Sequence, residues 1–199
     1  STYSGLISGN GNFVKDGAGV LQMGGVSDQT YTGTTRVMNG TLEMASGRSL
    51  SSSTALTLDN GATFKYNSTA TASGGATRVG SLAGAGTVEA TGVGNVTTVT
   101  LDIGSDNTST TFNGVFKGTA PSFGPYISKS GTGTFTFDGA VSGNFAGFIV
   151  GSGTVQVGTG GSGGALGNVT NLPTRLYTSG TLIINRNNTL TVNQGFEGG

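Results

Sequence analysis

One five-residue phrase recurs along this chain: glycine, threonine, then apolar, polar, apolar. It stands at Gly40-Thr41-Leu42-Glu43-Met44, Gly86-Thr87-Val88-Glu89-Ala90, Gly133-Thr134-Phe135-Thr136-Phe137 and Gly153-Thr154-Val155-Gln156-Val157. Looser forms are Ala62-Thr63-Phe64-Lys65-Tyr66, Gly180-Thr181-Leu182-Ile183-Ile184 and Asn188-Thr189-Leu190-Thr191-Val192. In an extended backbone, residues i and i+2 share a face. Leu42 and Met44 therefore point one way and Glu43 the other. The same spacing sets Phe64 and Tyr66 against Lys65, and Leu101 and Ile103 against Asp102. The phrase predicts short strands, apolar inward and polar outward. The glycine in front of each is expected to bend the backbone at positive φ, which a Cβ would resist.

Helices are not expected. Glycine supplies 39 of the 199 residues and interrupts almost every helix-length window. One longer glycine-poor stretch, Arg48 to Asn60, is rich in Ser and Thr and has no 3.6-residue apolar period. Gly, Ser, Thr and Asn make up just over half of the chain, a composition open to a flexible low-complexity reading. The 34% of apolar residues argue for order, because they alternate with polar ones in short runs. A collagen-like chain is excluded by three prolines and the lack of a three-residue glycine period.

A longer repeat lies above the strand phrase. Lys15-Asp16-Gly17-Ala18-Gly19-Val20-Leu21-Gln22-Met23 aligns with Lys129-Ser130-Gly131-Thr132-Gly133-Thr134-Phe135-Thr136-Phe137. The same offset carries Tyr31-Thr32-Gly33 onto Phe145-Ala146-Gly147, and a one-residue slip then brings Gly40–Met44 onto Gly153–Val157. Upstream, Thr2-Tyr3-Ser4-Gly5 is similar to Thr111-Phe112-Asn113-Gly114. Stacked repeats of short strands with glycine turns predict a solenoid. Residues 1–199 read as a single β-solenoid domain, with related units over about 1–66 and 110–192 and diverged coils between. Coils of about 20–25 residues at about 4.8 Å per rung would give roughly eight to ten coils. The stretches Asn67–Thr77, Lys117–Tyr126 and Gly158–Gly164 break the pattern and are expected to protrude.

The order Lys-x-Gly-x-Gly-x-apolar-x-apolar, then Tyr or Phe-x-Gly, then Gly-Thr-apolar-x-apolar resembles the autotransporter-associated β-strand repeat of bacterial surface proteins. The better copy is Val14 to Met44; the second, Ser128 to Val157, has Phe145 in place of the Tyr. The resemblance implies a secreted, right-handed parallel β-helix of the passenger type. It implies a scaffold and no activity.

Composition limits the chemistry. With no His and no Cys there is no imidazole base, thiol nucleophile, zinc or iron–sulfur site of the usual ligands, or disulfide. Nine basic and nine acidic residues give zero net charge, which argues against a nucleic-acid footprint. No run of about 18 apolar residues is present to span a bilayer as a helix. The acids Asp16, Asp28, Glu43, Asp59, Glu89, Asp102, Asp106, Asp138 and Glu197 are spread evenly, which fits a solvated face better than a paired-carboxylate site. Asp102-Ile103-Gly104-Ser105-Asp106-Asn107 is the tightest grouping; it reads as a turn closed by Asp and Asn, with Ca²⁺ as the rival. The tract Gly158–Gly164 lacks the Lys-Ser/Thr of a phosphate loop and reads as a mobile loop. Phe123, Tyr126 and Phe196 are candidates for exposed aromatics.

These residues point to an extracellular or cell-surface, non-enzymatic protein with no catalytic, cofactor or metal residues. The leading expectation is a fibre subunit that associates head to tail with other copies of itself. Neither end carries an obvious cap, so Tyr3, Ser4 and Gly5 at one end, and Leu190 and Val192 at the other, are expected to form the contact. An adhesin or passenger module of an autotransporter-like surface protein, binding glycans or host or cell surfaces, is the alternative, and a carbohydrate-active β-helix enzyme is a third reading.

Overall fold

The computed structural model describes residues 1–25, 27–68, 76–92, 99–119, 125–167, 175–190 and 195–198. No helix occurs among them, and every strand pairing is parallel. The strands stack into three sheets, a β-solenoid. The first face holds seven strands, from Thr2–Tyr3 to Ala140–Gly143. The second holds eight, from Phe13–Lys15 to Thr181–Ile184. The third holds six, from Thr77–Arg78 to Gly195–Gly198. In mid-chain each turn visits the second face (Ser81–Gly84), the first (Thr87–Gly92) and then the third (Thr100–Ile103) before it returns.

Register gives the coil length. The shortest turn sets Thr134 beside Thr154, 20 residues on, and the longest sets Gly84 beside Phe112, 28 residues on. The variation is taken up in the corners, while the alternation within each strand is preserved. Leu42 and Met44, Phe64 and Tyr66, Leu101 and Ile103, Phe135 and Phe137, and Val155 and Val157 are all buried, as their alternation predicts. They stack in continuous inward rows, such as Leu42–Phe64–Val88–Phe116 on the first face. Burying such side chains is worth about 1.5–3 kcal/mol each and holds the coils together.

The first coils differ from the rest. Before Thr77–Arg78 the described residues give the third face no strand, and the connections through residues 27–34 and 45–54 occupy its place.

Glycine is needed for two different reasons. Gly40 and Gly153 sit at φ 67° and 66°, the bend expected ahead of the strand phrase. Gly133 does not sit at positive φ; a Cβ there would lie 2.3 Å from the carbonyl oxygen of Thr108 on the neighbouring coil.

The tract Gly158–Gly164 does not protrude. Gly158 N–H donates to Phe137 O at 2.8 Å and Gly164 N–H to Gly139 O at 3.0 Å on the coil before it. Gly160 N–H donates to Asn185 O at 2.8 Å, and Asn187 N–H to Gly161 O at 3.0 Å, on the coil after it. The backbone is stacked from both sides, and side chains at Gly163 and Gly164 would collide with Asp138 and Phe137. Most of Asn67–Thr77 and half of Lys117–Tyr126 lie outside the described residues, as does Phe123. Tyr126 opens the strand Tyr126–Lys129 and is not a loop residue.

Candidate functional site: the lysine corners

The motif lysine ends a strand on its inward side. Phe13 and Lys15 share a face, as do Ile127 and Lys129, so alternation drives both lysines toward the core. Lys15 is 7% exposed and Lys129 only 1%. A buried ammonium must be compensated, and carbonyls of the following turn do so. Lys15 Nζ donates to Gly17 O at 2.7 Å, Asn39 O at 2.9 Å and Asp16 O at 3.2 Å. Lys129 Nζ donates to the carbonyls of Ser130 and Gly131. Burial lowers the pKa of the Lys129 ammonium, against the pull of Asp102 and Asp106.

The next coil closes the corner. A Cβ on Gly40 would lie 2.5 Å from the carbonyl oxygens of Gly17 and Gly19; one on Gly153 would lie 2.4 Å from Gly131 O and 2.9 Å from Lys129 Nζ. Lys-x-Gly-x-Gly is thus the floor of a corner, and the glycine of the Gly-Thr phrase is its roof. The two corners lie at different places on the section. Lys15 leads from the second face to the first, whereas Lys129 leads from the third face to the second. The repeat encodes a corner, and the winding decides which of the three edges it occupies.

Between floor and roof the two copies diverge. In the first, the Tyr31 hydroxyl bonds the Thr35 hydroxyl, which meets Thr54 Oγ1 at 2.9 Å; Thr54 in turn donates to Gly33 O at 2.6 Å. All three side chains are buried, and burial pushes the Tyr31 phenol up in pKa. In the second copy Phe145 and Phe148 stand at the places of Tyr31 and Thr35, with rings edge to face at 5.6 Å. They join Phe112, Phe116, Phe135 and Phe137 in one aromatic cluster.

The outward side of the first face holds self-compensated charge. Along the first face Gln22 bonds Glu43, and Glu43 lies 3.6 Å from Lys65. Lys65 is in register with Glu89, and Glu89 pairs with Lys117 at 3.0 Å. Among the described residues no three acidic side chains come together. Asp106 and Asn107 form a turn: Asp106 Oδ1 accepts from Thr108 N–H at 3.0 Å, and Asn107, at φ 62°, accepts from Thr132 N–H at 2.9 Å.

The residues expected at the ends are placed as follows. Tyr3 pairs with Met23, in an inward row, and is 41% exposed; Ser4 and Gly5 follow it and are exposed. Leu190 is not in a strand: the backbone bends at Asn187 and Asn188, and Leu190 packs against the core. Val192 lies outside the described residues.

The geometry defines a class: a parallel β-solenoid whose repeat builds corners around a buried lysine and whose strand rows pack a narrow core. A model of the passenger-associated-transport-repeat family matches residues 13–44 and 127–157, so the chain carries two copies of that repeat, one around each lysine corner. The two copies and the solenoid fit an autotransporter passenger-like surface protein. No curated protein and no solved structure matches the chain. Among the described residues no helix is long and apolar enough to cross a membrane, a statement that does not concern β-barrels.

Sequence reasoning located the motif lysines but not their burial. The signal was present: each lies two residues from an apolar residue of its own strand, and so on the inward face.

Proposed function

We propose that the chain is a structural, non-enzymatic segment of a surface or secreted rod. The observation that carries this reading is where the repeated polar groups are spent. The motif lysines bond corner carbonyls, and the outward charges of the first face neutralise one another. A rod of this kind presents long neutral faces and resists opening.

The ends support association of one copy with the next. Tyr3 and Ile184 occupy inward rows, opposite Met23 and Val157, yet are 41% and 45% exposed. A further coil laid on either end would bury them, and parallel edges can extend in register. In this arrangement the Tyr3–Gly5 end of one copy meets the Leu190 and Val192 region of another. Sedimentation velocity and electron microscopy test it. Filaments that vanish on deletion of Ser1–Ser8, or on Leu190→Pro, with the subunit still β-rich, are the expected result. A chain that stays monomeric at tens of micromolar would overturn it.

A further inference from the structure

The third face carries a groove where its sheet stops. Beyond the edge strand Thr77–Arg78, side chains take over part of the backbone ladder, which continues at Gln29 N–H to Ser49 O, 3.2 Å. Arg78 N–H donates to Ser49 Oγ at 3.1 Å, and Ser49 N–H donates to Asp28 Oδ1 at 2.9 Å. The face is indented beside these side-chain bridges. The indentation is about 290 Å³ and includes Asp28, Gln29, Ser49, Leu50, Ser51 and Arg78 in its lining. Leu50, 1% exposed, is buried beneath it. Gln29 is fixed, since Oε1 accepts from Ile7 N–H at 2.7 Å and Nε2 donates to Gly5 O.

Two opposite charges border this groove without meeting. Asp28 and Arg78 are both exposed, and among the described residues neither takes part in an ion pair. Asp28 Oδ1 is engaged by Ser49, and among the described residues none bonds its Oδ2. The groove thus offers a guanidinium fork, a carboxylate oxygen and serine hydroxyls, donors and acceptors together. That set disfavours the other ligand classes. An inorganic anion meets Asp28, and a divalent cation meets Arg78 and only one carboxylate. An added peptide strand finds the edge at Arg78 already capped by Ser49.

We propose that this groove binds a single saccharide unit of a glycan, with Arg78 and Asp28, on coils either side of Ser49, holding hydroxyls at opposite edges of the ring. The volume lies at the small end of ligand pockets, and no aromatic side chain lines it to stack on a sugar ring. Affinity for one unit is therefore weak, roughly millimolar. Repetition along a glycan or between copies would raise it by avidity. The inference rests on the chain being a surface module and is independent of whether copies join end to end.

The test is amide-resolved NMR of the full-length chain carrying Leu190→Pro, remote from the groove and expected to stay unassembled, titrated separately with glucose, galactose, N-acetylglucosamine and glucuronate. At least one sugar should shift the amides of residues 28–30, 49–53 and 76–78 and leave the first face unmoved. Arg78→Gln and Asp28→Asn, the latter keeping the oxygen that Ser49 uses, should each weaken binding by about tenfold or more without changing the melting temperature. Arg36→Gln on the second face should bind as the parent does. No shift with any of the four at roughly 100 mM, shifts located elsewhere, or binding indifferent to Arg78 and Asp28 would overturn the proposal. None of these outcomes depends on filament formation.

Discussion

The two copies of the repeat share a corner and differ in what fills it. Around Lys15 the interior is hydroxylic, with Tyr31, Thr35 and Thr54 passing hydrogen bonds to the Gly33 carbonyl. Around Lys129 it is aromatic, with Phe145 and Phe148 in a cluster centred on Phe116, whose ring lies within 6.4 Å of five others. The substitutions are matched: where the phenol is lost, its hydroxyl partner is lost with it, so neither copy leaves a buried hydroxyl without a bond in that pair. The comparison teaches that backbone and lysine define the repeat, while the filling is free to change as a set. The same freedom extends to position, since one corner joins the second and first faces and the other the third and second.

The largest effect should come from the aromatic side. Phe116→Ala removes the ring shared by the whole cluster and should cost about 3–5 kcal/mol, measured by denaturant unfolding. Next are the corners. Lys129→Met strands two carbonyls at a fully buried site and should cost about 2 kcal/mol; Lys15→Met, where water can reach in, about 1 kcal/mol. Equal costs would mean that burial does not set the value of the corner. Tyr31→Phe leaves Thr35 and Thr54 bonded to each other and should cost about 1 kcal/mol. Glu43→Gln, in a half-exposed pair, should change stability by less than about 0.5 kcal/mol. A loss as large as that of Lys15→Met would show that the outward ladder holds the coils together.

Much of this fold was legible because a strand has a period of two. Once Gly-Thr-apolar-x-apolar was recognised, the inward rows through Leu42, Phe64, Leu101, Phe135 and Val155 followed from alternation alone. The repeat boundaries, Val14 to Met44 and Ser128 to Val157, agree to within one residue with the family match. What stayed hidden depends on contacts between coils. Gly158–Gly164 looks like a free loop until the carbonyls of Phe137 and Asn185 are placed on either side of it. Gly133 needs no side chain because of Thr108, a neighbour only in space. The groove beside Arg78 lies where Ser49 and Asp28 side chains accept two backbone N–H groups, and local pattern does not mark where a side chain enters the ladder.

The central claim is that the repeat lysine is an internal fastening of the solenoid and not a surface charge. The chain has four lysines, two in repeat corners and two, Lys65 and Lys117, facing outward with 31% and 44% of their side chains exposed. Amine acylation of the native chain, read out by peptide mass spectrometry, compares them in one experiment. Lys65 and Lys117 should label rapidly, Lys15 slowly, and Lys129 only at the rate at which the solenoid opens. Labelling of Lys129 at the rate of Lys117 under native conditions would contradict the account.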